Sequence, residues 1–357
     1  MHAVNPRGNP ANKHTDLWSL HEFALFGSCK KPASLILFCA MEKTLASIDI
    51  GTHTARLLVA KELAGGGIIQ PLARKRAYIR LADGLNYSKK GIIQFGAMDR
   101  ALEVLQDFAR FLSGFNVHSV HAVATGVVRE ASNGRDLLDR IQEETGIKVR
   151  PLTGLEEAVL TAKGALHALK RPAGPFLVFD LGGGSTEFVL CAADSTVVRS
   201  IPLGAMSLTR NFLKSDPPEA TQVDALSGYI DRCLNEAELW ISGITVPCFL
   251  VGTGGTVTTL AVMLHGISPS EISAERINGL VLERKEIEAN FADMKRLSLA
   301  DRMRLPGLDG GRADVILAGC LVVIRILYFF ESLRVTVSFS DLLEGILLEC
   351  IEGEAND

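Results

Sequence analysis

The sequence predicts a two-lobed α/β protein whose lobes are duplicates separated by a cleft. One pattern occurs twice, in residues 48–59 (IDIGTHTARLLV) and in residues 179–190 (FDLGGGSTEFVL). In each copy an apolar strand ends at an Asp, Gly and small hydroxylated residues follow, and a second apolar strand begins. Because such a turn can hold a phosphate group, the repeat predicts a phosphorylated substrate and a metal ion in the cleft.

Length and composition agree with two globular domains. The chain has 357 residues, of which 47% are hydrophobic and 22% are charged. No apolar run is long enough to cross a membrane. The net charge is −4, and the acidic excess lies after residue 157, so we expect a polyanion to approach the first half of the chain.

Cysteine usage indicates the compartment. The seven cysteines are scattered, and none forms a Cys-x-x-Cys pair. This predicts reduced thiols in a cytoplasmic protein, with neither a disulfide framework nor a zinc site.

The chain divides into three predicted segments. Residues 1–40 hold several Pro and Asn without a clear period, so we expect a disordered or non-native N-terminal extension, with Met41 as the biological start. Residues 41–157 are predicted to form the first lobe and residues 158–340 the second. The closing helix, 341–353, is expected to pack back on the first lobe.

Periodicity and turn residues place the elements of the first lobe. Strands are predicted over residues 43–50, 55–63, 68–78, 118–124 and 149–152. A helix over 91–112 follows from apolar residues at helical spacing. A second helix over 135–145 ends at Gly146, and a third begins at residue 155.

The second lobe repeats this order. Strands are predicted over residues 176–180, 187–190, 196–201, 248–251 and 335–339, and helices over 224–240, 311–330 and 342–351, with others after Thr256 and up to about Leu305. Two rounds of hairpin, strand, helix, strand and helix indicate α/β lobes of the actin-like ATPase (ribonuclease H-like) kind.

The two hairpin turns carry the groups that phosphate binding needs. Glycine lets the backbone approach a phosphate oxygen, and hydroxyl groups add donors. The predicted phosphate ligands are Gly51, Thr52, His53, Thr54, Gly182, Gly183, Gly184, Ser185 and Thr186. Asp49 and Asp180 stand just before the turns, where a carboxylate can hold hydrated Mg²⁺ beside phosphate. The alternative is two ordinary hairpins.

Three further features are candidates for chemistry. Arg129 follows a strand and a Thr-Gly turn and could clamp a phosphate, or be a surface arginine. Glu156 and Glu157 open a helix near the lobe junction, where a carboxylate could deprotonate water or serve only the helix dipole. The turn with Gly254, Gly255 and Thr256 could approach a phosphate or a base, or serve only helix packing.

Taken in order, these motifs resemble the exopolyphosphatase / guanosine pentaphosphate phosphatase (Ppx/GppA) family of the actin-like ATPase superfamily. The resemblance rests on residues 49–54, 81–85, 124–131, 154–160, 180–187, 252–260, 311–316 and 337–338. It implies hydrolysis of a terminal phosphoanhydride with Mg²⁺ or another divalent cation.

The resemblance also implies roles for individual residues. Glu157 aligns with the catalytic carboxylate that acts on the attacking water, and Arg129 with a phosphate-binding arginine. Asp180 and Glu187 look like the metal and water site, and residues 182–185 like the second phosphate loop.

The chain departs from the family pattern in its closing motif. The family usually has Gly-Leu-Arg-Glu-Gly there, whereas this chain has residues 341–345, Asp-Leu-Leu-Glu-Gly. A contact between the final helix and the substrate is therefore in doubt. A basic cluster could meet a polyanion or be a solvated face; its members are Arg74, Lys75, Arg76, Arg80, Lys89 and Lys90.

Other functions stay open at this point. The leading interpretation is a phosphohydrolase acting on polyphosphate, guanosine pentaphosphate or both, with neither a membrane nor nucleic acid as partner. A small-molecule kinase of the same superfamily and a non-catalytic polyphosphate or alarmone sensor are the alternatives. A homodimer is suggested by family analogy alone.

Overall fold

The computed structural model describes residues 43–63, 67–84, 91–169, 175–192, 195–237 and 249–356. The expectations for residues 1–40, for Met41 as the start and for Lys89 and Lys90 lie outside these ranges.

The first half of the chain forms a five-stranded sheet with its own helices. Its elements are β1 (Thr44–Ile50), β2 (Thr54–Glu62), β3 (Ile69–Tyr78), α1 (Phe95–Leu112), β4 (Ser119–Ala124), α2 (Val127–Glu130), α3 (Gly134–Thr145), β5 (Val149–Pro151) and α4 (Gly154–Leu169). The strand order is β3-β2-β1-β4-β5. Apolar side chains of α1, among them Leu105 and Phe108, are buried in the core against this sheet.

The second half forms a six-stranded sheet with a separate core. Its elements are β6 (Phe176–Leu181), β7 (Thr186–Ala192), β8 (Ser195–Ile201), α5 (Ala205–Phe212), α6 (Ala220–Ala237), β9 (Phe249–Thr253), α7 (Gly255–Leu264), α8 (Ala274–Ile277), β10 (Val281–Glu283), α9 (Arg284–Met294), α10 (Leu299–Arg302), α11 (Ile316–Phe329), β11 (Arg334–Val337) and α12 (Leu342–Asn356). The strand order is β10-β11-β9-β6-β7-β8. We call each sheet with its helices a lobe.

The two hairpins have the same register, so the duplication extends to single residues. Asp49 pairs with Arg56 across β1 and β2, and Asp180 pairs with Glu187 across β6 and β7. Each first strand also runs parallel to a later one, β1 beside β4 and β6 beside β9. This arrangement confirms the predicted fold class.

Helices α4 and α12 lie between the two sheets. Helix α12 packs on β1 and β2 through Leu343 and Leu347, while Ala158 and Ala162 of α4 pack against β6 and β7. The two helices touch each other closely, because a Cβ atom on Gly345 would overlap the Leu160 carbonyl oxygen.

Some elements differ from the expectations. The predicted helix over 311–330 begins only at Ile316, because the Asp309 side chain accepts from the Gly311 amide at 2.9 Å and holds a 3₁₀ turn over Gly310–Arg312. Helices α2 and α5 were not expected, because both are too short for apolar periodicity to reveal.

Two sequence expectations concern membranes and thiols. Among the described residues, no helix has the length and apolarity needed to span a membrane. Cys191, Cys233, Cys320 and Cys350 are free thiols, as predicted, whereas Cys29, Cys39 and Cys248 lie outside the described residues.

Candidate active site

A cavity of about 530 Å³ lies between the lobes and is lined by both hairpin turns. The turns after β4 and β9 complete its wall. The predicted site residues that line it are Asp49, Gly51, Thr52, His53, Thr54, Arg129, Glu157, Asp180, Gly182, Gly183, Gly184, Ser185, Glu187, Gly254, Gly255 and Thr256.

Thr186 is placed differently from the prediction. Its side chain is fully buried, and its hydroxyl donates to the Leu203 carbonyl at 2.8 Å. As the first residue of β7 it follows the strand alternation, which turns it away from the cavity. Thr186 is therefore a structural residue of the hairpin and not a phosphate ligand.

The first turn is fastened to the segment that carries Arg129. The Gly51 amide donates to the Thr54 carbonyl at 3.0 Å, which closes the turn. The Val127 amide, at the start of α2, donates to Thr52 Oγ1 at 3.2 Å. Gly126 has φ +47°, and a Cβ there would overlap Thr52 Oγ1, so only glycine allows this approach.

The second turn has the same closure and a brace from α5. The Gly182 amide donates to the Ser185 carbonyl at 3.0 Å, as in the first turn. The Gly183 carbonyl accepts from the amides of Met206 and Ser207 at 3.0 and 3.1 Å. The turn is thus held in place before any ligand binds.

The third turn is covered by an arginine that had no assigned role. Gly254 has φ +88°, and a Cβ there would lie 2.5 Å from Asp180 Oδ1. The Arg312 guanidinium lies against Gly255, where any Cβ would overlap it. Arg312 Nε has no hydrogen-bond partner within the described part of the chain. Burial is the main cause that lowers the Arg312 pKa to about 10.

Glu157 faces the cavity from the first turn of α4. Its Oε2 accepts from Arg129 Nη1 at 3.0 Å, and the same nitrogen donates to the Leu152 carbonyl at 3.0 Å. Burial raises the pKa of Glu157 to about 7, and the nearby Glu187 and Asp49 carboxylates add to the shift. A carboxyl group with this pKa can take a proton at neutral pH.

Glu156 has a different task from its neighbour. Its Oε2 accepts from the Thr153 amide at 2.8 Å, and its own amide donates to Thr153 Oγ1 at 3.2 Å. These two bonds form a capping box at the start of α4. Of the two adjacent glutamates, Glu156 caps the helix and Glu157 faces the cavity.

Two further carboxyl groups face the cavity from the second hairpin. Burial raises the pKa of Asp180 to about 7, with Asp341 as the next cause. The pKa of Glu187 is also raised to about 7 by burial, although Ser185 and Ser200 donate to its Oε1 at 2.6 and 2.7 Å.

At the position where the second hairpin has Glu187, the first hairpin has the positively charged side chain of Arg56. Arg56 donates from Nε and Nη2 to Asp49 Oδ2 at 2.9 and 2.7 Å, and from Nη1 to Asp341 Oδ2. Burial alone would lower the pKa of Arg56, but Asp341 and Asp49 outweigh it and raise that pKa. Arg56 is therefore fully charged at the floor of the cavity.

Comparison with known proteins assigns the family. A profile of the Ppx/GppA phosphatase family matches residues 58–354. The chain belongs to the Ppx/GppA phosphatase family. Membership confirms the predicted resemblance and the expectation of an enzyme that hydrolyses phosphate bonds.

Similar proteins of this family cover most of the chain. Exopolyphosphatase 1 of Mycobacterium bovis is 32% identical over 314 residues, which are 87% of this chain and 89% of that protein. Exopolyphosphatase 2 of Mycobacterium tuberculosis is 32% identical over 323 residues, with 85% and 97% covered.

Solved structures of Ppx/GppA proteins share the fold. A family member from Aquifex aeolicus has a TM-score of 0.74 and 30% identity, and the match covers 88% of this chain and 99% of that one. An exopolyphosphatase from Cytophaga hutchinsonii has a TM-score of 0.79 and 28% identity, with 87% and 98% covered.

The carboxylates of the cavity are the candidate ligands for the divalent cation that the Ppx/GppA resemblance implies. In the described ranges, no three His, Cys, Asp or Glu side chains are grouped to hold a metal ion. Of the predicted metal residues Asp49, Asp180 and Glu187, two already have partners, because Arg56 and two serines occupy oxygens of Asp49 and Glu187.

One or two of these carboxylates nevertheless fit such a cation. Asp49 Oδ1 is buried and has no hydrogen-bond partner among the described residues. Asp180 lines the cavity, and burial raises its pKa although the nearby Arg56 acts in the opposite direction. Mg²⁺ commonly binds one or two protein carboxylates and takes its other oxygens from phosphate and water.

Three functional candidates were missed in the sequence. Arg312 stood in a quoted motif without a role, and its position over Gly255 depends on a turn that periodicity does not show. Arg56 could have been found, because a hairpin with this turn length pairs it with Asp49. Asp341 was noted only as a departure from the family motif.

Proposed function

We propose that this chain releases terminal phosphate from a phosphoanhydride chain by attack of water in the cavity. Inorganic polyphosphate is the first substrate class, because the cavity offers cations, amides and hydroxyls that suit repeated phosphate groups. Guanosine pentaphosphate is the second, since it ends in the same kind of bond. The exopolyphosphatases among the relatives support the first choice.

The position of Glu157 carries this proposal. Arg129 occupies Oε2 and leaves Oε1 for a water molecule on the cavity side. In the proposed reaction this water attacks the terminal phosphorus, the bond to the bridging oxygen breaks, and Glu157 accepts the water proton. Solvent then takes the proton and restores the carboxylate.

The other groups hold the phosphates. Arg129 and Arg312 meet the negative oxygens from opposite lobes, and the turn amides and the hydroxyls of Thr52 and Thr54 complete the contact. A divalent cation, for which we propose Asp49 and Asp180 as ligands and Mg²⁺ as the ion, would spread the charge of the transferred group when bound. Glu187 would orient water beside it.

The test is phosphate release by Glu157→Gln. We expect the release rate from polyphosphate to fall roughly 100- to 10,000-fold, the contribution of a positioned general base. Glu156→Gln is the matched control, since Gln can keep the capping box and loses only the exposed ion pair with Arg150, so the release rate should be unchanged and stability should fall by at most about 1 kcal/mol. Assays with and without Mg²⁺ show whether phosphate release requires the cation. Assays with guanosine pentaphosphate show which of the two substrates is preferred.

Two outcomes would reject the assignment. Full release by Glu157→Gln would remove this residue from the reaction. ATP-dependent phosphorylation of a small acceptor by a wild-type protein that releases no phosphate from either substrate would favour a kinase.

A further inference from the structure

The start of α12 contacts the cavity residue Arg56 through one side chain. Asp341 is 4% exposed and accepts from Arg56 Nη1 through Oδ2. Its other oxygen accepts from the Leu343 amide at 3.2 Å, which fixes the carboxylate at the helix N-terminus. Asp341 is therefore held by the helix N-terminus through one oxygen and bonded to Arg56 through the other.

Arg56 is divided between two carboxylates that come from different parts of the fold. Asp49 on β1 takes its Nε and Nη2 groups, and Asp341 takes Nη1. The trio has a net charge of −1, so Arg56 offers no excess positive charge to a substrate, although it lines the cavity. An arginine that was free to turn would be a strong phosphate ligand.

Apolar packing fixes the start of α12 on the first sheet. Leu343 is buried in an apolar cluster with Leu45 and Leu58. Asp341 therefore meets Arg56 from a helix that is already held against β1 and β2.

We propose that Asp341 is a positioning residue that holds Arg56 against the cavity floor and keeps it from the phosphate groups of substrate and product. Held in this way, Arg56 fixes Asp49 with Oδ1 free. Phosphate is then held by Arg129 and Arg312, and the product leaves without a third arginine to retain it. This inference rests on the proposed phosphatase function.

The test is the affinity of the full-length protein for inorganic phosphate, measured by calorimetry. In Asp341→Asn the side chain keeps its size but loses its charge, so Arg56 Nη1 is released to the ligand while Asp49 keeps Nε and Nη2. We expect the Kd for phosphate to fall about ten-fold, and KM and kcat for polyphosphate to fall together because product leaves slowly. Asp341→Glu keeps the charge and should restore a Kd near that of the wild type.

Two comparisons separate positioning from mere structural support. Glu344 lies on the same helix turn and pairs with Arg74, which is stacked on Phe339 and does not line the cavity. Glu344→Gln should lower Tm as Asp341→Asn does, but leave the phosphate Kd unchanged. In Arg56→Met/Asp341→Asn the gain in affinity should vanish, since the residue that causes it is gone.

Several results would overturn the proposal. They are an unchanged or weaker phosphate Kd in Asp341→Asn, equal tightening by Glu344→Gln, tightening that persists without Arg56, and no phosphate binding in any variant. If the wild type binds phosphate but releases none from either substrate, the proposed function fails while the comparison of Kd values still decides the role of Asp341.

Discussion

Arg312 should strengthen the binding of substrate but lower the stability of the ligand-free protein. No described carboxylate forms an ion pair with it, and burial lowers its pKa to about 10, so holding its charge costs free energy in the absence of ligand. Arg312→Met keeps the bulk over Gly255. We expect KM for polyphosphate to rise about 10- to 100-fold, while Tm stays equal or rises by a few degrees.

The comparison residue for this prediction is Arg302. It is buried in the same lobe, but it donates to the Ala313 and Leu297 carbonyls and pairs with Asp216. Arg302→Met should therefore lower Tm and leave KM unchanged. A fall in Tm with normal KM for Arg312→Met would make Arg312 a structural residue as well.

At the scale of single residues, the sequence predicts which side chains can carry chemistry better than it predicts which residues contact each other. Asp49, Asp180 and Glu157 were predicted from their places beside glycine turns or at the lobe junction, and all three line the cavity. Thr186 was misjudged because the alternation of a strand decides which hydroxyl faces the cavity. Arg312 could not be assigned, since its neighbour in space, Gly255, is far away in the chain.

Among the elements, α4 and α12 are joined by glycines that allow close contact. A Cβ atom on Gly345 would overlap the Leu160 carbonyl, and one on Gly164 would overlap the Asp341 carbonyl. Gly345→Ala must separate the two helices, so we expect a loss of about 1–3 kcal/mol in the free energy of unfolding. Urea denaturation measures it.

Gly353 provides the control on the same helix. A Cβ atom there meets nothing within 4 Å. Gly353→Ala should therefore stabilise the protein slightly, by about 0.5–1 kcal/mol, because alanine favours a helix. Equal effects of the two substitutions would mean that helix propensity, and not the contact between helices, sets the stability here.

Elements with strong periodicity were predicted well, and those that depend on local capping were not. The hairpins and the long helix α1 follow from apolar spacing alone. The late start of α11 follows from one side-chain bond of Asp309, which competes with a helix in a way that hydrophobicity cannot show.

A second set of contacts between the lobes joins the end of β3 to the segment before α11. Arg76 and Arg80, at the end of β3, pair with Asp309 and Asp314 of the second lobe. His53 Nε2 lies 3.3 Å from the Gly311 carbonyl oxygen. These contacts, which we call the interlobe clasp, involve two of the six residues of the predicted basic cluster, so Arg76 and Arg80 are occupied within the protein.

Loss of the clasp should open the cavity without unfolding either lobe. Each partly exposed pair contributes about 0.2–1 kcal/mol, so Arg76→Met/Arg80→Met shifts the ratio of open to closed molecules by up to about 30-fold. We expect a larger radius of gyration in X-ray scattering of the ligand-free protein, and less difference from wild type at high salt.

Lys75 provides the control for this prediction. It directly precedes Arg76 in sequence but pairs with Asp107 of α1, inside the first lobe. Lys75→Met removes a similar ion pair without touching the second lobe, so its radius should equal that of wild type. If both proteins expand alike, or if neither does, the clasp does not hold the lobes, and the contact between α4 and α12 must set their separation.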